Sequence, residues 1–343
     1  QQLDCYYQEV DKMYQAVEPF IVDKGVLSKI VSAIPFFVMY QKYKDIPLSE
    51  FTGRYIRQDT DAYRFLTGIG YPNMSAWMMP SAIAAILHDS WTVKGGMQSW
   101  ADALSGHFKT LGGELKLGAY VERIVTKKGT CTGVVSKGIA YNADCVIAAC
   151  DYKKALLTLL DDQSCIPPEA RKKTEAASTS EGVFTVYLGL SLTHEQLKNS
   201  MKVPAILYHN DHEKVDINNI LDDSFFRKVT IVLYSPSLIN PALAPKDKSS
   251  LMIEAVAPFY WMNNWGGGNR GQYEKLKDRV CKSLIEKAKD IIPNLEKYII
   301  CQDAATPLTY ERFTHNSEGA TSAWSWNPKK RFYPETLKAY IDT

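Results

Sequence analysis

The chain predicts a mixed α/β fold with an α+β portion, and three observations carry that expectation. Apolar residues recur at three- and four-residue spacing over residues 1–90. They alternate with polar ones in several short runs between 180 and 260. Between these regions they collect in one unbroken run, 145–150, which suits a strand buried on both faces of a parallel sheet.

The first stretch, 1–90, reads as helical. Tyr6, Val10, Met13, Val17 and Phe20 share one helix face, and Leu27, Ile30, Val31 and Ile34 share another before Pro35. Asp45-Ile46-Pro47-Leu48-Ser49-Glu50 is a helix-start signal, with a polar cap, an early Pro and an acid in the first turn. Residues 80–87 predict a further short apolar helix.

The second stretch, 91–150, changes character. Gly95-Gly96 opens a helix whose face carries Met97, Trp100, Ala101, Leu104, Phe108 and Leu111. Gly112-Gly113 ends it, because glycine accepts the left-handed conformation of a helix C-terminus. Leu115, Leu117 and Ala119 alternate and predict a strand over 114–120. Residues 121–127 and 130–136 predict a hairpin around Lys128-Gly129. The third stretch, 151–305, predicts an antiparallel sheet from the alternation of Phe184, Val186, Leu188 and Leu190, and from similar patterns at 229–234 and 251–257. A strong helix follows, with Tyr273, Leu276, Val280, Leu284, Ala288 and Ile291 on one face and Pro293 as its stop. The last stretch, 306–343, is rich in aromatics and Pro.

Composition excludes several classes of function. With 45% hydrophobic and 23% charged residues, the 343-residue chain has the mix of a globular protein rather than a disordered one. A net charge of +2 leaves no basic field for nucleic acid, and Lys127-Lys128, Arg171-Lys172-Lys173 and Lys329-Lys330-Arg331 read as solvated surface. Seven scattered Cys without a CxxC argue for reduced thiols and a cytoplasmic protein. No run reaches the length of a spanning helix; 26–40 is apolar enough to seat a helix in a membrane interface, with ordinary core packing as the competing and slightly favoured reading. The chain begins with Gln1 in helical pattern, which suggests sequence upstream.

Candidate chemistry begins with what is set aside. His209 and His212 stand at metal-like spacing beside Asp211 and Glu213, yet read as a surface loop; no metal site is expected. Gly266-Gly267-Gly268-Asn269-Arg270-Gly271 fits a dinucleotide motif by letter, but too long a gap separates it from the preceding strand, so a surface loop is expected. No nucleophile motif is present and no catalytic acid or base is assigned. Asp151 directly follows the 145–150 run, where it caps a helix, faces a ligand, or does both.

Three segments carry a resemblance. The first is Val93-Lys94-Gly95-Gly96-Met97, followed by Leu111-Gly112-Gly113-Glu114, Tyr120-Val121-Glu122-Arg123-Ile124 and Ala143-Asp144-Cys145 through Cys150 and Asp151. The second runs Tyr234-Ser-Pro-Ser-Leu-Ile-Asn-Pro-Ala-Leu-Ala-Pro245, and the third Ala305-Thr-Pro-Leu-Thr-Tyr-Glu-Arg-Phe313 with Asn316 and Gly319-Ala320. In this order they resemble the phytoene-desaturase and amine-oxidase family of flavoproteins over about two thirds of the chain. Asn240 stands where that family has Asp, and His315 where it has Gly.

The resemblance implies a partial Rossmann-like FAD domain, 91–150, beside a substrate domain formed by the helical part, 1–90, and the antiparallel part, 151–305, with 306–343 returning toward the FAD domain. It implies FAD as cofactor and a long apolar polyene or isoprenoid as substrate, desaturated, saturated or isomerised by hydride transfer. A polar amine substrate and a cofactor-free interaction module stand as alternatives. By the same resemblance Val121 meets the adenine through its backbone, and Gly95, Gly96, Ala149, Cys150 and Asp151 lie near the cofactor. Trp77, Trp91, Tyr187, Phe259, Trp324 and Trp326 are the candidate substrate neighbours, each competing with plain core packing. The family's Gly-rich strand-turn-helix and its C-terminal flavin segment find no match, so the sequence reads as part of a longer chain.

Overall fold

The computed structural model describes residues 2–21, 25–68, 74–78, 92–209, 224–322, 324, 325 and 327. The chain divides into two compact units, 1–92 with 324–332, and 93–323 with 333–343. The helix expected at 80–87 lies outside the described residues.

The first unit contains α1 (Gln2–Ile21), α2 (Val26–Tyr43), α3 (Leu48–Gly53) and α4 (Asp61–Gly68). The periodic face of α1 becomes core: Tyr6, Val10 and Met13 pack with Tyr43, Leu48 and Phe51. Phe20 meets Phe36 at 4.9 Å between ring centres, pairing α1 with α2. Beneath them the Glu9 carboxylate of α1 accepts from the Tyr43 hydroxyl, from Lys42 at 2.9 Å and from Lys12 at 3.1 Å. A buried carboxylate is tolerated only with such partners. Helix α3 begins after Pro47, whose missing N–H costs nothing at a helix start; Asp45 does not cap it but pairs with Lys44 at 2.6 Å. The stripe read at Leu27, Ile30, Val31 and Ile34 faces outward on α2, together with Val26, Phe37 and Val38.

The second unit is built on a five-stranded antiparallel sheet ordered β5-β6-β7-β4-β8: β4 (Gly182–Leu190), β5 (Ala205–Tyr208), β6 (Ile231–Tyr234), β7 (Ser249–Ala257) and β8 (Ile299–Ala305). Thr185 stands opposite Glu254, and Tyr187 opposite Met252, in the β4–β7 register. On one face Phe184, Val186, Leu188, Ile231, Leu233, Leu251 and Ile253 are buried against Leu276, Val280 and Leu284 of a 19-residue helix, the one expected from Tyr273 to Ile291, which ends at Ala288. The alternation of β7 is complete, with every second residue buried, as one covered face requires.

A three-stranded meander, β1 (Arg123–Lys127), β2 (Thr130–Ser136) and β3 (Ile139–Asn142), forms the expected hairpin and extends it. It closes a small core in which Ile124 packs with Leu156, Leu160, Ile166 and Ala170. Helix α5 (Met97–Thr110) precedes it and ends at Gly112 in the left-handed conformation, as read.

Two expected strands are absent. Residues 114–120 form loop and turn, with Leu117 at the surface. Residues 145–150 form no strand, and all but Val146 are exposed, Ile147 to 87%. Apolar content alone does not make a strand; a ladder partner does, and among the described residues no strand pairs with either segment. The apolar face of α5 is likewise outward, with Met97, Trp100, Leu104, Phe108 and Leu111 all exposed.

The remaining helices of this unit are α6 (Tyr152–Lys154), α7 (Pro168–Ala176), α8 (His194–Met201), α9 (Ser224–Lys228), α10 (Pro236–Ile239), α11 (Arg270–Ala288) and α12 (Pro307–Thr314). The glycine motif at 266–271 forms no strand-to-helix turn. Strand β7 ends at Ala257, and Met262, Asn263, Asn264 and Trp265 then follow one another in left-handed conformation. Trp261 and Trp265 are buried there, and Trp265 donates to the Pro258 carbonyl at 3.1 Å. Asn269 then caps α11.

Candidate active site

The three motif segments converge within the second unit. Gly95 and Gly96 make the turn into α5 with φ of 88° and 85°, a region where glycine alone is unstrained. A Cβ on Gly96 would stand 3.3 Å from Leu243 of the second segment, and one on Gly95 only 2.5 Å from the Ser99 hydroxyl. The glycines therefore serve a close approach within the chain. No side chain caps α5, although the Ser99 amide donates to the Gly96 carbonyl at 3.1 Å, and the positive helix end suits phosphate or another anion.

Asp151 joins the first segment to the third. One carboxylate oxygen caps α6 by accepting from the Lys154 amide at 2.8 Å, and the other accepts from the Ser317 amide at 2.7 Å. Both readings of Asp151 as a cap and as a strand-end residue bear on this place, and the geometry shown is the cap. Tyr120, beside Val121, lies 4.7 Å from the ring of His315. His315 ends α12 with φ 60° and ψ 15°. This left-handed C-terminal position favours Gly, which gives the family's residue there a physical reason. Val121 is half-buried and belongs to none of the three cores. Ala149 and Cys150 lie exposed in the unpaired 145–150 segment instead of a buried strand. Asn240 keeps the capping role of an Asp, accepting from the Ala242 amide at 3.1 Å.

The third segment is locked by Gly319. A Cβ there would come within 2.0 Å of the Pro307 carbonyl, at φ 59°. Around it Thr321 donates to the Glu181 carbonyl, and Thr179 donates to Glu318 at 2.6 Å.

The aromatic candidates separate. Trp77 is core of the helical unit, edge-on to Phe36 and Tyr40. Trp91 and Trp326 lie outside the described residues. Trp324 is half-buried and falls in the first unit; Phe259 is half-buried and edge-on to Tyr260. Tyr187 stands on the sheet face opposite α11, at the surface. His212 also lies outside the described residues, and His209 contacts Thr230 at 3.2 Å. Among the described residues no cluster of three metal-ligating groups occurs.

That same sheet face carries a group the sequence did not disclose. Leu207, Val232, Met252 and Val256 are half-buried there, and Glu254 stands among them. Thr185 donates to Glu254 at 3.2 Å and shares a 2.6 Å hydrogen bond with the Tyr310 hydroxyl, which lies 3.0 Å from that of Tyr187. Burial pushes the Glu254 carboxyl above the usual range, the Thr185 hydrogen bond opposing it, and burial also raises Tyr310. Alternation had marked Thr185 and Glu254 only as the outward residues of their strands, so the available signal was an acid in an otherwise apolar run.

The fold is that of known oxidoreductases. The chain superposes on the crystal structure of an oxidoreductase from Methanosarcina mazei with a TM-score of 0.53 at 13% identity, covering 91% of this chain and 64% of that one. Residues 65–222 match the family described as flavin containing amine oxidoreductase. A 4,4'-diapophytoene desaturase (4,4'-diapolycopene-forming) of Methylomonas sp is 24% identical over 98% of this chain and 66% of its own length. A phytoene desaturase (lycopene-forming) of Pseudescherichia vulneris is 26% identical over 64% of this chain and 43% of its own length. The chain is thus similar over residues 65–222 to the flavin containing amine oxidoreductase family, and over most of its length to a diapophytoene desaturase. It spans about two thirds or less of the length of these relatives.

Proposed function

We propose that the chain is the substrate-binding and central part of an FAD-dependent oxidoreductase acting on a long apolar polyene or isoprenoid by hydride transfer with the flavin. One observation carries the choice of substrate: the open face of the sheet. Strands β4 and β7 each run nine residues, or roughly 30 Å of wall. Leu207, Val232, Met252 and Val256 make it largely apolar, and the Glu254 carboxyl among them is half-buried. Such a wall suits an extended hydrocarbon better than a charged amine.

For the cofactor, the chain's own residues offer the uncapped amides of α5 for an anionic group and the exposed 145–150 segment alongside. Gly95, Gly96, Val121, Ala149, Cys150 and Asp151 are the proposed FAD neighbours. When bound, the flavin supplies the hydride acceptor or donor; the protein supplies position and an environment without water. Phe259 and, at the solvent edge of the wall, the ring of Tyr187 are the proposed substrate contacts among the described aromatics.

Substrates of this class reside in membranes, and α2 presents an apolar stripe with Lys29 and Lys42 and no acid between Val26 and Tyr43. We place this helix at a lipid interface. No described helix is long and apolar enough to cross a membrane.

Mixing the protein with FAD and a C30 or C40 polyene in liposomes tests the reading. Expected are a bound yellow chromophore and its bleaching on anaerobic addition of polyene. A protein that holds FAD yet is bleached by an amine and not by the polyene would overturn the substrate assignment.

A further inference from the structure

We propose that Glu254, Thr185, Tyr310 and Tyr187 form a proton relay on the open sheet face, with Glu254 accepting the proton that substrate desaturation releases. This rests on the polyene reading above and goes beyond it by naming a base. Oxidising a –CH2–CH2– unit to –CH=CH– removes two hydrogens. One leaves as hydride, with its electron pair, to the flavin; the other leaves as a proton, to the Glu254 carboxylate, as the C=C bond forms.

The four groups form an unbroken hydrogen-bonded series, 3.2 Å from Glu254 to Thr185, 2.6 Å to Tyr310 and 3.0 Å to Tyr187. Strand register produces it: Thr185 and Glu254 are directly opposed, and Tyr187 lies two residues along the same face. Helix α12 lays Tyr310 across both hydroxyls. Thr185 is fully buried, whereas Tyr187 is 37% exposed, so the series leads from the wall to solvent. Thr185 donates to Glu254 as the series stands, so once Glu254 has taken the substrate proton the carboxyl and each hydroxyl reverse their hydrogen bonds, every hydrogen moves one place outward, and one leaves at Tyr187.

The titratable groups facing Glu254 are the two tyrosines of the series. Val232, Met252 and Val256 flank it on β6 and β7, and Asp303 on β8 is engaged by Lys277 at 3.3 Å. Among the described residues no cation is paired with Glu254, and a carboxylate partly withdrawn from water is a stronger proton acceptor than a solvated one.

Two measurements on the full chain test the relay. Infrared titration without substrate is expected to show a protonated-carboxyl band that titrates above the ordinary 4.5, vanishes in Glu254→Gln, and moves in Tyr310→Phe. In flavin-loaded protein, single-turnover oxidation of a polyene is expected to fall by about 10²–10⁴-fold in Glu254→Gln. Glu254→Asp is expected to restore part of the rate, and Tyr310→Phe to shift the pH profile with little change in KM. A Glu254→Gln variant with wild-type rate and pH profile overturns the relay. So does an infrared band that Tyr310→Phe leaves in place. If wild-type protein takes up no flavin, it is the flavin reading that fails, and the infrared titration still decides the relay.

Discussion

Gly319 shows how one residue can hold a segment. The backbone there is left-handed, and the Pro307 carbonyl occupies the space a Cβ would need, at 2.0 Å. Alanine therefore meets both a conformational penalty and a backbone clash that no rotamer relieves. Gly319→Ala is expected to cost about 2–4 kcal/mol, measured by urea denaturation of the second unit. Glu9 makes a different residue-scale case. Desolvation raises its carboxyl, but hydrogen bonds from Tyr43, Lys42 and Lys12 outweigh it and bring it down to about 2 from 4.5. Its folded pKa is depressed, so the stabilisation is fully present above pH 4.5 and is lost as pH falls from there toward 2. Because both lysines are largely exposed, the worth is about 1–2 kcal/mol, not the full linkage value. Hydrogen exchange of α1 and α2 amides is expected to accelerate over that window, and Glu9→Gln to abolish the acceleration. An unchanged acid sensitivity in the variant would assign it to another carboxylate.

Elements differ in what burial does for them. Leu284 of α11 is fully buried under the sheet, while Leu104 of α5 is more than half exposed. Leu284→Ala is expected to lose about 2–5 kcal/mol and Leu104→Ala less than about 0.5, compared as thermal midpoints under one condition. The same contrast explains which elements could be read from sequence. Strand β7 and helix α11 were legible because each buries one face, and burial is what writes period two or period 3.6 into a chain; β4, buried on both faces over Gly182–Val186, was legible from its alternating large apolar residues. The β1–β2 hairpin was legible from Lys128-Gly129, both left-handed in the turn. Residues 114–120 and 145–150 misled because apolar pattern records a surface to be covered, not the neighbour that covers it. The left-handed turn around Met262–Trp265 had no signal beyond its Asn pair and glycines, since its stability comes from two buried tryptophans far from any periodic rule. Of the site, the capping role of Asp151 was readable locally; its bond to Ser317, 166 residues away, and the Glu254 series depend on register and were not.

At the scale of the whole molecule, the described surface is more apolar than a self-contained domain needs, and its apolar areas are organised. On α5 Met97, Trp100, Leu104 and Phe108 face outward, and on α2 Val26, Leu27, Ile30, Val31, Ile34, Phe37 and Val38 do so. Contiguous exposed patches of this kind mark interaction surfaces. On α2 the only charges are lysines, which favours anionic lipid over a soluble acid-poor partner. A helix lying in an interface draws its affinity from inserted apolar area, with charge as a second contribution. Flotation with liposomes of anionic lipid is therefore expected to carry the protein upward, with partial loss at high salt. Ile34→Lys and Val31→Glu together are expected to leave the protein in the bottom fraction while circular dichroism stays unchanged, because neither side chain is in the core. If the double variant floats as wild type does, the outward stripe of α2 is not the membrane contact, and lipid binding belongs to another surface.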